Sequence, residues 1–446
     1  MPSGTIAANR EVRPPGPALS AAAARFGTPV YVTDMAVVAA AAAAMEAAFA
    51  PPWHRLYSLK ANDLPAITTF LHERGWGASV VSAGEWRHAR AAGVANESVA
   101  FEGLGKTDAQ LELVVRESAA GRPLRWLGIE SGQEAAVLAR LARAAGLGHG
   151  GRPPVDVLLR LNPEVEPETR PQFAVGARES KFGMSYREIL ALARSEALAG
   201  PGLRLRGIHV HVGSDLGDVR AFCRAGVAAV RLLADLRAER QAQRQAQRRA
   251  EPGRDSDLAS LDTVDFGGGF PLPAEKAPAP GEFAEALVLA LREAGLDLPP
   301  RSAVEPGRYL VGAAGWLVSS VLHARPGSSP AQQVVLDAGM TEFIRPALYG
   351  SRHAAHALSP GGAALLDTAL EGPVCESTDS FGRHLLPPLR RGDLVAIGQT
   401  GAYGASFTSR YNGRPPPGEV LLWADGSLQQ CERPTGSPPA TKESLP

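Results

Sequence analysis

The sequence predicts an α/β chain in which a (β/α)8 barrel of the TIM type is followed by a smaller, C-terminal β domain. Two patterns predict this architecture. Between residues 56 and 305, short apolar runs alternate with longer helical stretches, and such runs are typical of parallel strands buried on both faces. Beyond residue 305 the helical stretches largely disappear, and separated apolar runs indicate a sheet without crossover helices.

Eight apolar runs supply the predicted barrel strands: 56–60, 77–82, 99–102, 125–130, 155–162, 205–213, 263–267 and 302–305. The clearest helical stretches between them are 84–92, 107–120, 132–145, 185–198, 218–248 and 282–294. In TIM-type barrels the active site lies at the carboxyl ends of the strands. The sequence therefore places it beside the residues found at these ends, which are Lys60, Ser82, Glu130, Asn162, His211, Gly267, Gly268, Gly269 and Glu305.

The barrel is assigned to residues 36–308 and the β domain to 309–431. Residues 1–35 form an N-terminal segment whose first 24 residues, rich in proline, are predicted to be loose, while a strand at 28–33 is expected to join the β domain. An alanine-rich helix is expected at 39–50, and 432–446 is predicted to be a disordered tail. The strands expected in the β domain are 316–321, 333–337, 394–397 and 419–423. The Arg/Gln-rich segment 236–254 is predicted to be a solvated helix extension that ends in a loop.

Composition excludes several classes of partner. Lys+Arg and Asp+Glu both number 46, so no net field favours nucleic acid or an anionic membrane, and a small-molecule substrate is expected. The three cysteines lie far apart, with no metal-ligand spacing, and their odd number fits a reducing cytoplasm. Residues 1–25 lack the apolar core of a signal peptide, and no membrane span is predicted.

Lys60 ends the first predicted barrel strand, where an apolar run gives way to a loop. Burial penalises the cationic form of a lysine and makes its amine a better nucleophile, which is the chemistry of a Schiff-base lysine. The alternative is a lysine that reaches solvent from the end of a strand. On this short stretch alone the second arrangement is the commoner one.

Gly267, Gly268 and Gly269 follow the seventh predicted strand directly. Three glycines allow backbone N–H groups to crowd around an anion, and TIM-type barrels often bind phosphate at the loops after strands seven and eight. The alternative is a flexible turn. The position of the triplet next to the predicted eighth strand favours a phosphate site.

His209 and His211 lie two residues apart on one strand, so their side chains face the same way. Such a pair can bind a metal, but we find no further set of histidine and carboxylate ligands at other strand ends, and no metal is predicted. The alternative is that His211 packs flat on a planar ring while His209 is a core residue. Ser214, just beyond, could donate to a phosphate.

Glu305 ends the eighth predicted strand and could pair with a heterocyclic nitrogen, keeping it protonated as an electron-sink cofactor requires. The alternative is a salt bridge with Arg308. Taken together, a Schiff-base lysine, a glycine phosphate site, an imidazole and a carboxylate predict pyridoxal 5′-phosphate as the cofactor.

The chain resembles the fold-type III pyridoxal-phosphate decarboxylases, which have an alanine racemase-like barrel and β domain, over roughly residues 26–425. The stretches that carry the resemblance in the barrel are 57–62 (YSLKAN), 82–85 (SAGE), 180–183 (SKFG), 211–214 (HVGS), 267–270 (GGGF) and 305–308 (EPGR). Those in the β domain are 337–340 (DAGM), 345–349 (RPALY), 372–377 (GPVCES) and 401–404 (GAYG).

The resemblance implies a role for each matching residue. Lys60 binds the cofactor covalently, His211 stacks on its ring and Glu305 holds its pyridine nitrogen. Cys375 and Glu376 reach into the active site of a partner chain, Cys375 near the reacting carbon, so a homodimer is implied. The residues implied to bind the cofactor also include Ser214, Gly267, Gly268, Gly269, Gly307, Arg308 and Tyr403, and those implied to bind substrate are Arg308, Arg345, Tyr349, Glu376 and Tyr403.

The activity implied by the resemblance is decarboxylation of an amino acid. The Cys-Glu-Ser element at 375–377 and the pair Arg345 and Tyr349 favour meso-2,6-diaminopimelate, with L-lysine and CO2 as products. Three departures from the family pattern, at Ser79, Leu104 and Val175, leave a different amino-acid substrate open. A racemase-like activity and an inactive binding or regulatory homologue are the further alternatives.

Overall fold

A computed structural model of the chain describes residues 13–250, 261–327, 331–358 and 364–433, without the side chains of Pro171 and of residues 243–250. The described residues form two compact units. The β unit comprises the chain up to Ala43, Leu272–Ala277 and Gly307–Arg433, and the barrel unit comprises Ala44–Pro271 and Pro278–Pro306. Across the ranges described, each helix is too short or too polar to cross a lipid bilayer.

The chain begins with helix α1 (Gly16–Phe26), strand β1 (Val30–Asp34) and helix α2 (Met35–Ala48). The expectation that the first 24 residues are loose is therefore wrong for α1. Pro17 lies in the first turn of the helix, where a missing N–H costs nothing. Leu19, Ala22 and Ala23 are buried at helical spacing, so the segment packs by one face. The alanine-rich helix is confirmed as α2.

The barrel unit contains a closed, parallel barrel of eight strands, which confirms the predicted fold class. Every predicted barrel strand is present, with bounds that differ by one to three residues at most ends. The strands are β2 (His54–Ser58), β3 (Gly77–Val80), β4 (Val99–Phe101), β5 (Trp126–Ile129), β6 (Val155–Leu161), β7 (Leu203–Val210), β8 (Thr263–Asp265) and β9 (Arg301–Val304).

The helices that alternate with these strands are α3 (Pro65–Glu73), α4 (Ala83–Ala91), α5 (Asp108–Ala119), α6 (Gly132–Ala144), α7 (Tyr186–Ala193), α8 (Glu196–Ala199), α9 (Arg220–Ala250) and α10 (Pro280–Glu293). The single helix expected at 185–198 is in fact two, because Ser195 lies between α7 and α8 and its hydroxyl donates to the carbonyl of Leu192. The Arg/Gln-rich segment continues α9 to Ala250, and its predicted terminal loop lies outside the described residues.

The barrel interior changes from apolar to charged toward the carboxyl ends of the strands. Leu56, Ala100, Trp126, Leu158 and Ala303 form an apolar cluster inside the barrel. Side chains two residues apart on a strand face the same way, so the next position on the same face is charged in three strands. Those three positions are Glu102, Arg160 and Glu305, and this change of polarity creates a site at the carboxyl end.

The β unit contains a nine-stranded mixed sheet. After the short helix α11 (Arg308–Val311), its elements are β10 (Gly315–Pro326), β11 (Ala331–Leu336), α12 (Arg345–Tyr349), β12 (Ala355–Ala357), β13 (Leu366–Glu371), β14 (Ser380–Leu386), β15 (Leu394–Gly398), β16 (Gly418–Leu422) and β17 (Leu428–Cys431). Strand β1 pairs antiparallel with β10 on one side and parallel with β16 on the other. The four predicted strands are present. Of the tail predicted at 432–446, residues 434–446 lie outside the described residues.

Apolar side chains cover both faces of this sheet. One face includes Tyr31, Leu317, Val334 and Phe343 among its buried members. The other includes Val30, Val32 and Trp316, and it is covered by Leu19 and Ala22 of α1. Because residues 30, 31 and 32 alternate between the two cores, β1 is a fully enclosed strand of the β unit.

Candidate active site

Lys60 lies in a short 3-10 turn, Leu59–Ala61, that directly follows β2. The turn is fixed from both sides. The hydroxyl of Tyr57 donates to the carbonyl of Asn62 at 2.6 Å, and the Asn62 side chain accepts the N–H of Leu64 at 3.2 Å. Leu59 and Ala61 are fully buried while Lys60 is half-buried, so this turn fixes the backbone from which the Lys60 amine extends.

The positive charge of Lys60 contributes to the pKa shifts of Glu85, His211 and Glu305. These side chains come from different β/α units, yet they form one electrostatic neighbourhood. Ser82 and Glu85 also stabilise the start of helix α4. The Ser82 hydroxyl accepts the N–H of Glu85 as the helix cap, and the Glu85 carboxylate accepts the N–H of Val81. The SAGE stretch is therefore explained in part by the start of a helix.

Four ionisable side chains meet in the barrel interior. Nδ1 of His209 lies 3.3 Å from a carboxylate oxygen of Glu102, and Nε2 of His209 lies 3.4 Å from a carboxylate oxygen of Glu305. Asp265 lies close by. An imidazole nitrogen of His209 and one carboxylate oxygen each from Asp265 and Glu305 all lie within 4.8 Å of one another. The statement that the histidine pair lacks carboxylate neighbours at other strand ends is therefore wrong.

The pKa values of this cluster move in opposite directions. Burial alone lowers the pKa of His209, but the carboxylates of Glu102 and Glu305 outweigh it and raise that pKa to about 9. Burial raises the pKa of Asp265 well above its ordinary value, and the negative charge of Glu305 raises it further. Glu305 is the exception among the acids, because His209 and Lys60 overcome the burial penalty and hold the pKa of its carboxyl below the ordinary range.

His211 lies just beyond β7, next to the glycine turn. Its Nδ1 accepts the backbone N–H of Gly268 at 3.2 Å. Burial lowers the pKa of His211 well below its ordinary value, and the cation of Lys60 lowers it further. A neutral imidazole whose Nδ1 is an acceptor holds its proton on Nε2.

The glycine turn packs tightly against its neighbours. A Cβ on Gly268 would lie 2.4 Å from the carbonyl oxygen of Glu305, and one on Gly267 would lie 2.6 Å from that of Val210. The Gly267 N–H donates to Asp265 at 2.9 Å, and the Gly268 N–H donates to His211. Two of the three backbone N–H groups that were expected to bind a phosphate therefore donate to protein side chains instead.

Ser214 is held by the loop that precedes α7. Its N–H donates to the carbonyl of Phe173 at 3.2 Å, and its carbonyl accepts the hydroxyl of Thr169 at 2.7 Å. The SKFG stretch closes on the same end of the barrel. Arg160 forms an ion pair with Glu130, and the Phe182 ring lies 4.7 Å from the Arg160 guanidinium.

The β unit gathers a second set of predicted residues around Tyr403. The guanidinium of Arg308 lies 5.1 Å from the centre of the Tyr403 ring, and that of Arg345 lies 5.8 Å from it. The Arg345 guanidinium also lies 5.5 Å from the ring of Tyr349. Both arginines are buried, and Gly307 precedes Arg308 as the residue before helix α11. Two planar cations next to phenol rings are suited to bind carboxylate groups.

Cys375 and Glu376 lie on an exposed loop between β13 and β14. The hydroxyl of Tyr411 donates to the Glu376 carboxylate at 2.7 Å. Beneath the loop, the buried carboxylate of Asp379 accepts the N–H of Val374 at 2.7 Å and that of Met340 at 2.5 Å. Asp379 therefore ties the Cys-Glu loop to the DAGM stretch.

The predicted site residues thus fall into two groups. The barrel unit brings Lys60, His211 and Glu305 together, with Ser214 and the glycine turn on the same loops. The β unit brings Arg308, Arg345, Tyr349 and Tyr403 together, and it places Cys375 and Glu376 on one loop. Sequence reasoning missed Glu102, Asp265 and Asp379, although the first two follow the strand-end rule that found Glu305.

The barrel residues fit pyridoxal 5′-phosphate. The Oε1 atom of Glu305 is buried and has no hydrogen-bond partner in the part of the chain that the structure describes. A buried acceptor without a partner costs free energy, and a protonated ring nitrogen would remove that cost. Lys60 supplies an amine for the aldehyde, and the neutral ring of His211 is planar. This set of groups defines a pyridoxal-phosphate enzyme with a TIM-type barrel.

Comparison with known proteins agrees with that class. Residues 35–312 match the family described as pyridoxal-dependent decarboxylase, pyridoxal binding domain. The chain belongs to this family, and its cofactor is pyridoxal 5′-phosphate.

Relatives of similar length narrow the comparison. The chain is 33% identical over 405 residues to diaminopimelate decarboxylase from Archaeoglobus fulgidus, covering 90% of this chain and 88% of the relative. It is 33% identical over 406 residues to diaminopimelate decarboxylase from Zymomonas mobilis, covering 90% and 89%. The crystal structure of diaminopimelate decarboxylase from Helicobacter pylori complexed with L-lysine superposes with a TM-score of 0.78 at 28% identity, covering 92% of this chain and 95% of that one.

Proposed function

We propose that this chain decarboxylates meso-2,6-diaminopimelate to L-lysine and CO2 with pyridoxal 5′-phosphate. The observation that carries the proposal is the similarity to diaminopimelate decarboxylases over 90% of the chain, because a match of this length includes both the barrel group and the Cys-Glu loop. The chemistry of the described side chains supports it, as follows.

When bound, the cofactor accepts the electron pair that remains when the bond to the departing carboxyl group breaks. The roles of the barrel residues follow from their chemistry. Lys60 holds the aldehyde through its amine, Glu305 accepts the proton of the ring nitrogen, and His211 packs against the ring as a neutral imidazole. Ser214 and Gly269 are proposed to contact the phosphate, because the N–H groups of Gly267 and Gly268 already have partners.

The β unit supplies groups that suit a substrate with two carboxylates and two ammonium groups. Arg308 and Arg345 are proposed to hold carboxylate, since a guanidinium donates two parallel hydrogen bonds to it. Tyr349 and Tyr403 add phenol hydroxyls beside these cations. Glu376 is proposed to bind the distal ammonium group, and Cys375 to deliver the proton that replaces CO2.

A homodimer is proposed, with Cys375 and Glu376 acting in the active site of the second chain. Both side chains are exposed in the single chain, on a loop that Asp379 holds in place. Mixing two inactive variants tests this. Lys60→Ala and Cys375→Ala, unfolded and refolded together, should regain activity, because one of the two sites in the mixed dimer keeps both groups. If mixing restores nothing, the two residues serve the same chain's site.

We also infer that the protein works in the cytoplasm. Cys223, Cys375 and Cys431 are all free thiols, and the proposed role of Cys375 requires a thiol rather than a disulfide. Fractionation of the native host with detection of the chain tests this localisation, and its recovery among exported proteins would contradict it.

A substrate panel tests the proposed reaction directly. Purified holoenzyme is supplied with meso-diaminopimelate, L-lysine, L-ornithine and L-arginine, and released CO2 is measured together with the amine product. The proposal expects meso-diaminopimelate to give the highest kcat/KM. Faster release from another amino acid would identify a different decarboxylase, racemisation without CO2 would identify a racemase, and failure to take up the cofactor would identify an inactive homologue.

A further inference from the structure

A row of polar side chains crosses the barrel interior below the proposed cofactor position. The indole N–H of Trp126 donates to Glu102 at 2.9 Å. The other oxygen of Glu102 lies 3.3 Å from Nδ1 of His209, and Nε2 of His209 lies 3.4 Å from Glu305. All four side chains are buried, so the row connects β5, β4, β7 and β9 without contact with solvent.

A glycine makes space for this row. A Cβ on Gly128 of β5 would lie 1.7 Å from the Glu102 carboxylate oxygen that faces His209. Its φ is not in the left-handed region, so the backbone itself would accept other residues. Residue 128 must therefore be glycine because a side chain would collide with the Glu102 carboxylate, not because its backbone conformation needs glycine.

The carboxylates of Glu102 and Glu305 favour the positively charged form of His209. A neutral imidazole has one N–H and can serve only one of them, whereas an imidazolium presents a proton to both. The other ionisable groups near the row do not change this. Burial raises the pKa of Asp265 and so favours its neutral form. Burial also raises the pKa of Glu102, but the positive charges of His209, Lys106 and Arg160 oppose that shift, and Lys60 favours the ionised form of Glu305.

We propose that His209 is a positioning residue of the cofactor site: oriented by Glu102, it keeps Glu305 ionised and turns one Glu305 oxygen toward the cofactor's ring nitrogen. The proposal rests on the cofactor-binding role proposed above for Glu305. It does not depend on which amino acid is the substrate.

Stability alone does not account for this arrangement. Buried ion pairs lose most of their attraction to the cost of removing the charges from water, and apolar packing of the same volume is often at least as stable. An apolar interior exists one layer below, where Leu56, Ala100 and Ala303 pack together. The charged row replaces that packing only at the level of Glu305, whose second oxygen faces His209 while the first has no partner within the described ranges.

The first test is His209→Gln, which keeps an N–H donor but removes the positive charge. Apoenzyme is prepared from the holoenzyme and titrated with pyridoxal 5′-phosphate. The dissociation constant is measured from visible absorbance in a series of buffers from mildly acidic to mildly alkaline pH. We expect the constant to rise by about 10- to 100-fold, which corresponds to loss of one buried, charge-assisted interaction.

The pH dependence separates positioning from general damage. Without the imidazolium, Glu305 takes up its proton at a higher pH, and a protonated Glu305 no longer accepts the ring N–H. Cofactor affinity of the variant should therefore fall with decreasing pH over a range in which the wild type still binds. A purely structural defect would weaken binding equally at every pH.

Two further variants act on the row without touching His209. Glu102→Gln removes the charge that orients the imidazole, and Gly128→Ala displaces the Glu102 carboxylate while leaving every ionisable group in place. Both should weaken cofactor binding in the same direction as His209→Gln, by a smaller factor. The matched control is His54→Gln in β2, a histidine that faces the Arg125 guanidinium at 3.2 Å instead of a carboxylate, and its cofactor affinity should be unchanged.

Folded His209→Gln protein with wild-type cofactor affinity and pH dependence would overturn the proposal. If that variant does not fold, unchanged affinity in Glu102→Gln would do the same. Cofactor affinity and its pH dependence are both measured without turnover. If diaminopimelate is not decarboxylated but cofactor binding shifts as expected, the proposed reaction is contradicted and the proposed role of His209 is supported.

Discussion

The candidate residues of the barrel unit and those of the β unit differ in how they are held. Glu102, His209 and Glu305 are buried and make ion-pair contacts with one another, so their charges are set by their neighbours. Cys375 and Glu376 are exposed, and their loop is held by the buried Asp379. The barrel group is organised to fix protonation states, whereas the β-unit loop is organised to present side chains outward.

This difference assigns the two units different tasks. Buried charges in a low-dielectric interior interact strongly, which suits control of a cofactor's electronic state. An exposed, tethered loop suits contact with a substrate or a second chain. Four predictions test this division, beginning with the barrel.

Lys60→Ala should abolish both the visible absorbance of bound cofactor and the release of CO2, because the only amine proposed to hold the aldehyde is lost. Lys60→Arg keeps the charge but cannot form the linkage, so it should fail in the same way. The control is Lys276→Ala, an exposed lysine of the β unit, which should behave as wild type. Full activity in Lys60→Arg would remove Lys60 from its role.

Cys375→Ala should lower kcat by roughly 100-fold or more, the usual contribution of a positioned proton donor, and leave cofactor affinity unchanged. The two quantities should respond differently, because Cys375 is not among the residues expected to bind the cofactor. Steady-state kinetics and a cofactor titration measure them, with Cys431→Ala as the control. A loss of cofactor affinity in Cys375→Ala would contradict the division of tasks.

Asp379→Asn should leave the barrel intact but loosen the Cys-Glu loop. The amide can replace only part of an acceptor that now receives the N–H groups of Met340 and Val374, so we expect a loss of about 1–3 kcal/mol in unfolding free energy and a raised KM. Denaturant unfolding and kinetics measure these effects. Asp367→Asn, on an exposed strand position, is the matched control.

The two barrel histidines should give stability opposite pH dependences. The pKa of His209 is raised to about 9 by Glu102 and Glu305 against the effect of burial, so its stabilising contribution is complete below the ordinary pKa and is lost as pH rises through 9. Burial and Arg125 lower the pKa of His54 to about 4, so protonating it opposes folding as pH falls below the ordinary pKa.

Unfolding free energy measured against pH should therefore decline on both sides of near-neutral pH. His209→Gln should remove part of the alkaline decline, about 1–3 kcal/mol, and His54→Gln part of the acid one. An alkaline limb that is identical in His209→Gln and wild type would show that His209 is not charged in the folded protein.

The barrel was largely predictable because its strands are continuous apolar runs, and Lys60, His211 and Glu305 could be placed by the rule that function lies at strand ends. The contact of His209 with Glu102 was not predictable. It depends on strand register around a closed barrel and on the missing side chain of Gly128, neither of which is visible in a single run of residues. The glycine triplet was predicted as a phosphate site. In the structure, Gly267 and Gly268 are explained by their close approach to the carbonyls of Val210 and Glu305, which leaves no space for a side chain.

The β unit was less predictable. Strands β13, β14 and β17 mix polar and apolar residues, as in Ser380–Leu386, so their apolar signal is weak. Helix α1 was missed because the nearby prolines were interpreted as breaks, whereas Pro17 occupies the one turn that tolerates it. The anchoring role of Asp379 depends on backbone groups from two separate loops, which no local pattern reveals.

Strand β1, which precedes the barrel in sequence, lies in one sheet with strands that follow the barrel. Its partners, β10 and β16, follow the last barrel strand in sequence, so they are synthesised only after all eight barrel strands. Until then its backbone edges are open to other chains, which is a known route to misassembly during synthesis. A fusion partner or truncation that interferes with residues 30–34 is therefore expected to harm yield and solubility even though these residues are distant in sequence from every proposed catalytic group.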